Sequence, residues 1–210
     1  MTQSKTLRRW ELALLLGVAL AALLGVWLDG AQAALSDRVI RLHVLANSDS
    51  EADQALKLRV RDRILAEAEE LFVPGAGRAE TEELLRAHLY DLAAAGAEVV
   101  GEAGYSYPVT ASLVHDYWFP PKTYTDFALP AGAYTALRIE IGAGGGQNWW
   151  CVVFPPLCLG SVSETTQETA LEAGLTENQV SLMTGEDEGY VVKFKAVELL
   201  EQFKGWLEGR

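Results

Sequence analysis

The eleven residues Asn148 to Cys158, Asn-Trp-Trp-Cys-Val-Val-Phe-Pro-Pro-Leu-Cys, constrain this chain more than any other stretch. Trp149 to Phe154 is uncharged and made of aromatic, β-branched and small apolar residues, a composition that favours a strand buried on both faces. Pro155 and Pro156 must end it, because neither donates to a sheet ladder. Gly142, Gly144, Gly145 and Gly146 precede it and read as a turn. The expectation is a central strand that the rest of the chain covers, joined by a glycine hairpin to the strand before it.

That cover is available. The chain has 210 residues, half of them apolar, enough for one domain with a real core. Its net charge is −12; residues 1–33 hold three basic against two acidic side chains, so the rest carries −13. A body this acidic has no basic patch to neutralise phosphates, which argues against nucleic-acid binding.

Residues 1–33 stand apart. Lys5, Arg8 and Arg9 precede an uninterrupted small or apolar run from Leu12 to Leu28, followed by Ala31-Gln32-Ala33. This is the order of a secretory signal, with cleavage expected between Ala33 and Ala34. An uncleaved anchor inserted in the membrane with its basic end inside is the alternative. Both readings place residues 34–210 outside the cytoplasm as a single domain.

Within that domain, Arg38 to Ala46 reads as a first strand, with Ile40, Leu42 and Val44 on one side and Arg41, His43 and Leu45 on the other. Asn47-Ser48-Asp49-Ser50 then caps a long helix to about Phe72, with Ser50 and Asp53 forming a capping-box variant. Leu56, Val60, Ile64 and Leu71 mark its buried face. A second long helix is expected from Ala79 to Val100, its Ala93–Gly96 stretch allowing close approach. Strands follow from Tyr105 to Trp118 and from Ala133 to Ile141. A short helix is expected at Thr165 to Ala173, an exposed acidic stretch at Glu177 to Gly189, a short strand at Tyr190 to Lys195 and an amphipathic helix at Val197 to Leu207. The fold class is α+β: a small, mainly antiparallel sheet of three or four strands under two long helices, plus a C-terminal helix.

The catalytic inventory is thin. The two thiols, Cys151 and Cys158, read as a disulfide, as buried free thiols or as a reactive cysteine. A Cys-His nucleophile would need His43 or His115 as base. The three histidines are scattered and no zinc-binding spacing occurs, so no metal is expected. Asn47, Asp49, Glu51 and Asp53 resemble half a calcium loop, but a helix cap accounts for them. No cofactor is implied. The aromatic residues Tyr117, Trp118, Phe119, Tyr124, Phe127, Trp149 and Trp150, rimmed by Lys122 and Asp126, suggest a protein-binding patch.

Several stretches together resemble the stage II sporulation protein R family of endospore-forming bacteria. They are Ile40 to Ser50, Asp53 to Leu58 with Val60-Arg61-Asp62, Tyr107 to Thr110, Phe119-Pro120 with Lys122-Thr123-Tyr124, Leu129 to Gly132 before Tyr134, Ala136-Leu137-Arg138, and Asn148 to Cys158. The resemblance spans residues 38–160 and thins after Cys158. It implies a signalling protein with no catalysis of its own, exported from the forespore into the space between the forespore and mother-cell membranes. There it would activate a membrane-embedded aspartic protease that processes pro-sigma-E. The candidate partner-binding residues combine family-motif positions with polar or aromatic character near strand ends: Arg41, His43, Asn47, Asp49, Tyr117, Phe119, Lys122, Tyr124, Trp149 and Trp150. The competing reading is an exported hydrolase of cell-wall peptide using Cys151 or Cys158 with His43. A structural scaffold is a third, opposed by the self-repulsion of so acidic a body.

Overall fold

The computed structural model describes residues 3–73, 75–124, 127–157 and 164–184, apart from some side chains within residues 3–32 and 164–165. Two units separate, Met1–Leu35 and Ser36–Arg210. In the first, helix α1 (Gln3–Ser36) carries the apolar run, with Trp10, Leu12, Leu14 to Leu16, Val18, Leu20 and Leu23 all exposed. The expected cleavage point after Ala33 falls inside α1. The described side chains cover only part of the apolar run, and among the described residues no helix is long and apolar enough to cross a membrane.

In the second unit, strand β1 (Ile40–Leu45) leads into helix α2 (Glu51–Glu70). Ser50 is its N-cap, its hydroxyl accepting from the Asp53 N–H at 3.1 Å. The reciprocal half of a capping box is absent. The Asp53 carboxylate instead accepts from Ser48 Oγ at 2.5 Å and Asn47 Nδ2 at 2.9 Å. The expected second long helix is two: α3 (Arg78–Ala87) and α4 (Leu89–Glu102), broken at His88. Strands β2 (Val109–Phe119), β3 (Lys122–Thr123), β4 (Ala128–Leu129), β5 (Gly132–Ile141) and β6 (Asn148–Phe154) follow. Helices α5 (Glu164–Glu172) and α6 (Glu177–Thr184) come last among the described residues, so the start of the expected exposed acidic stretch is helical. The strand expected at Tyr190 to Lys195 and the helix at Val197 to Leu207 lie outside the described residues.

The sheet order is β2-β5-β1-β6, with β3 and β4 forming a separate two-stranded pair. The architecture is α+β, but the sheet is mixed: β1 runs parallel to β5 and antiparallel to β6. The central strand is therefore β1, buried along its whole length. The stretch expected at the centre forms the edge strand β6, whose first three residues are only partly covered. Lack of charge singled out β6. Arg41 and His43 interrupt the apolar run of β1, although the fold buries both.

The glycine tract is likewise not a hairpin. It carries the chain from β5 over the end of β1 to β6, a hop of two strand spacings, roughly 10 Å. Gly146 N–H donates to Ala46 O at 3.0 Å and Gly145 N–H to Asn47 O at 3.3 Å. A Cβ on Gly146 would overlap the Ser48 carbonyl, and one on Gly142, at φ +60, the Asn47 side chain.

Alternation along the strands makes two faces. Ile40, Leu42, Val44, Leu137, Ile139, Ile141, Cys151 and Val153 point to one side and form the core with Leu56, Val60 and Ile64 of α2 and Leu92, Val99 and Val100 of α4. Gly96 is the close-approach point expected from its alanine-rich stretch. A Cβ there would lie 3.0 Å from Val109 Cγ1 and 3.3 Å from Val60 Cγ1.

Candidate functional site

The second face of the sheet gathers most of the candidate residues. Arg41 and His43 project there from β1, Tyr134 and Arg138 from β5, and Trp150 from β6, each being the alternate of a core position. Tyr117 and Phe119 reach it by a different device. Up to Leu113, the odd residues of β2 face the core. Between Val114 and Tyr117 the register with β5 shifts, and Asp116 takes a positive φ of 54°. That bulge reverses the alternation, so Tyr117 and Phe119 join Arg41 rather than α4.

Phe119 is fully buried at the middle of the cluster. Its ring centroid lies 5.1 Å from that of Tyr117, 5.9 Å from Tyr134, 6.1 Å from His43 and 6.2 Å from Trp150. Tilted and edge-on contacts of this kind put positive ring edges against negative ring faces. The Arg41 guanidinium lies 4.1 Å from the Phe119 centroid and 5.0 Å from that of Tyr134. Tyr124, stacked on Phe127 at 4.4 Å, places its hydroxyl 3.4 Å from Arg41 Nη2 and 3.3 Å from the Trp150 carbonyl. Burial pushes the Tyr124 phenol above its ordinary value, with Arg41 opposing.

His43 Nε2 donates to Asn148 Oδ1 at 2.7 Å. Burial holds its imidazole below the ordinary 6.5; the Asn148 bond and Glu140 oppose, and Arg138 and Arg41 reinforce it. A depressed histidine value means that the unfolded chain takes up the proton first. His43 therefore contributes its full stability above pH 6.5 and loses it as pH falls from there through the lowered folded value. Chemical denaturation at pH 7.5 and 5.5 is expected to show a fall in stability that is smaller in His43→Asn. An equal fall in both proteins would sink the assignment.

The remaining candidates lie elsewhere. Asn47 and Asp49 hold the crossing between β5 and β6: Asn47 Oδ1 accepts from Ala143 N–H at 3.0 Å and Asp49 Oδ1 from Gln147 N–H at 2.7 Å. Trp149 points to the helical face, its ring 4.5 Å from the Arg61 guanidinium. Lys122 is exposed on β3, and Asp126 is outside the described residues. The sequence reading missed Tyr134 and Asn148 as members of the cluster. The alternation of β5 was the signal for Tyr134, and the pairing of β6 with β1 is what brings in Asn148.

The geometry does not assemble a Cys151–His43 nucleophile. Cys151 pairs with Leu42 and faces the core, whereas His43 pairs with Trp150 and faces away. Cys151 is also engaged in a disulfide. Cys158 lies outside the described residues. His115 lies on β2, 3.3 Å from the Glu82 carboxylate and 3.3 Å from Thr135 Oγ1, with β5 and β1 between β2 and β6. Among the described residues no group of three His, Cys, Asp or Glu is placed to hold a metal.

Comparison with known proteins places this site in a family. The model of stage II sporulation protein R (spore_II_R) matches residues 36–164, from the residues just before β1 to the start of α5. Stage II sporulation protein R of Bacillus subtilis (strain 168) is 37% identical over 124 residues, 59% of this chain and 55% of that relative. The chain thus spans about half the length of the curated relative it matches. No solved structure matches. With every strand of the sheet and the whole aromatic cluster inside the matched residues, the chain belongs to the stage II sporulation protein R family.

Proposed function

We propose that this chain is an exported signalling protein that activates a membrane-embedded aspartic protease of the mother cell, leading to cleavage of the pro-sequence from pro-sigma-E. Membership of the family, across residues 36–164, is the observation that carries the reading. Residues 1–33 act as signal peptide or membrane anchor, and residues 34–210 as the body between the forespore and mother-cell membranes. The basic flank and apolar run before Ala34 support export, and a disulfide at Cys151 suits an oxidising compartment.

The protein acts as a ligand, without catalysis. A ligand shifts a receptor only by binding its active state more tightly than its inactive one. Moving that equilibrium from 1:99 to 99:1 takes a preference of about 10⁴. Aromatic and arginine side chains supply such preferences at interface centres, and the second face concentrates them.

Reconstitution tests the reading. Co-produced with the protease and pro-sigma-E in a host lacking both, the full chain is expected to trigger cleavage, and a chain without residues 1–33 is not. Folded, exported protein that leaves pro-sigma-E intact would count against the proposal.

A further inference from the structure

Arg41 is the residue whose chemistry the fold leaves unfinished. Its side chain is fully buried. Two aromatic faces attract its charge, but its Nε and Nη1 have no hydrogen-bond partner. Its contact with the Tyr124 hydroxyl, at 3.4 Å, is longer than an ordinary hydrogen bond. Arg138 and Arg78 also bury an unpartnered Nε, yet each has a carboxylate: Glu140 at 2.8 Å and Glu82 at 3.0 Å. Among the described residues no carboxylate pairs with Arg41. The Trp150 indole N–H, on the same face, is buried and unpartnered as well.

A buried cation without an anion is a cost that a fold does not carry for its own stability. Even a buried ion pair can often be replaced by apolar side chains of similar volume with no loss of stability, and a buried charge with no counter-ion is costlier still. The unpartnered groups of Arg41 and Trp150 are donors, and the guanidinium fork matches a carboxylate in shape and charge. In a body carrying −13, a buried guanidinium with unsatisfied donors and no anion is a point that selects a negative group. Lys57, also buried without a paired carboxylate among the described residues, has its donors taken by Gln54 and Gln147.

We propose, building on the signalling reading, that Arg41 anchors a carboxylate-recognition site. The partner protein presents an aspartate or glutamate side chain that displaces the Tyr124 hydroxyl and accepts from Arg41 and from the Trp150 indole.

The test separates stability from signalling in the full chain. In Arg41→Met the thermal midpoint is expected to stay level or rise, while cleavage of pro-sigma-E in the reconstituted host falls at least tenfold. Trp150→Phe keeps the ring, removes the N–H, and is expected to lower cleavage severalfold. Two results overturn the proposal. One is a drop in the Arg41→Met midpoint of about 5 °C or more, the mark of a cation already paired within the chain. The other is undiminished cleavage by that variant. If the wild-type chain triggers no cleavage, the signalling reading fails instead, and the site is judged by acetate. Acetate, compared with chloride at equal ionic strength, is expected to raise the midpoint of the wild type and not of Arg41→Met. An equal response of the two proteins overturns the site.

Discussion

Replacing Gly146 with alanine is expected to destabilise the body by about 3 kcal/mol, near the upper end of what overpacking costs. The new Cβ would overlap the backbone carbonyl of Ser48, which cannot rotate away as a side chain would. That carbonyl is also fixed by the Gln54 side-chain amide at 2.9 Å. Relief would require lifting the crossing off β1, at the expense of the Gly146 to Ala46 bond and the Asp49 to Gln147 bond. Gly145→Ala is the control. Its Cβ would meet only the Asn47 carbonyl at 3.5 Å, an ordinary contact, so a change within about 0.5 kcal/mol is expected. Urea unfolding of both variants decides the matter. Equal losses at the two positions would mean that the crossing is not tightly held.

Truncating Phe119 to alanine is expected to cost about 3–5 kcal/mol, the range for a large aromatic removed from a full core. The ring touches four other aromatic groups and lies under the Arg41 guanidinium, so its loss leaves a cavity and removes the cation's nearest support. The neighbouring Trp118→Ala is expected to cost less than about 1 kcal/mol, because that side chain is 55% exposed. If the larger loss came from Trp118, the bulge before Tyr117 would have been placed wrongly and the strand would present its other face.

Local features carried most of the correct sequence reading. Ser50 and the spacing of Leu56, Val60 and Ile64 locate α2 almost to the residue, because caps and periodicity act within a few positions. The faces of β5 follow from simple alternation. What escaped depends on partners distant in sequence. His88 carries no proline or glycine signal, yet the helix breaks there. Gly142 to Gly146 has the composition of a hairpin, and only the arrival of β1 between β5 and β6 makes it a crossing. Asp116 looks like any strand-edge polar residue, although aspartate tolerates a positive φ better than most. Six candidates, Arg41, His43, Tyr117, Phe119, Tyr124 and Trp150, do come together on one face. Their polar or aromatic character marked them, but the sequence did not reveal that Arg41 and His43 would be buried.

The position of β1 has a consequence for how the body assembles. The first strand to leave the ribosome is the one that needs neighbours on both sides, and those neighbours follow on the order of a hundred residues later. Until Asn148 to Phe154 has emerged, Ile40 to Leu45 has no complete ladder, whatever α2 and α4 have achieved between themselves. Completion of the sheet is thus a late, all-at-once event that waits on the far end of the matched region. A growing chain stays unlocked for most of its synthesis, and a truncation before β6 yields helices around an open ladder rather than a smaller version of the same protein.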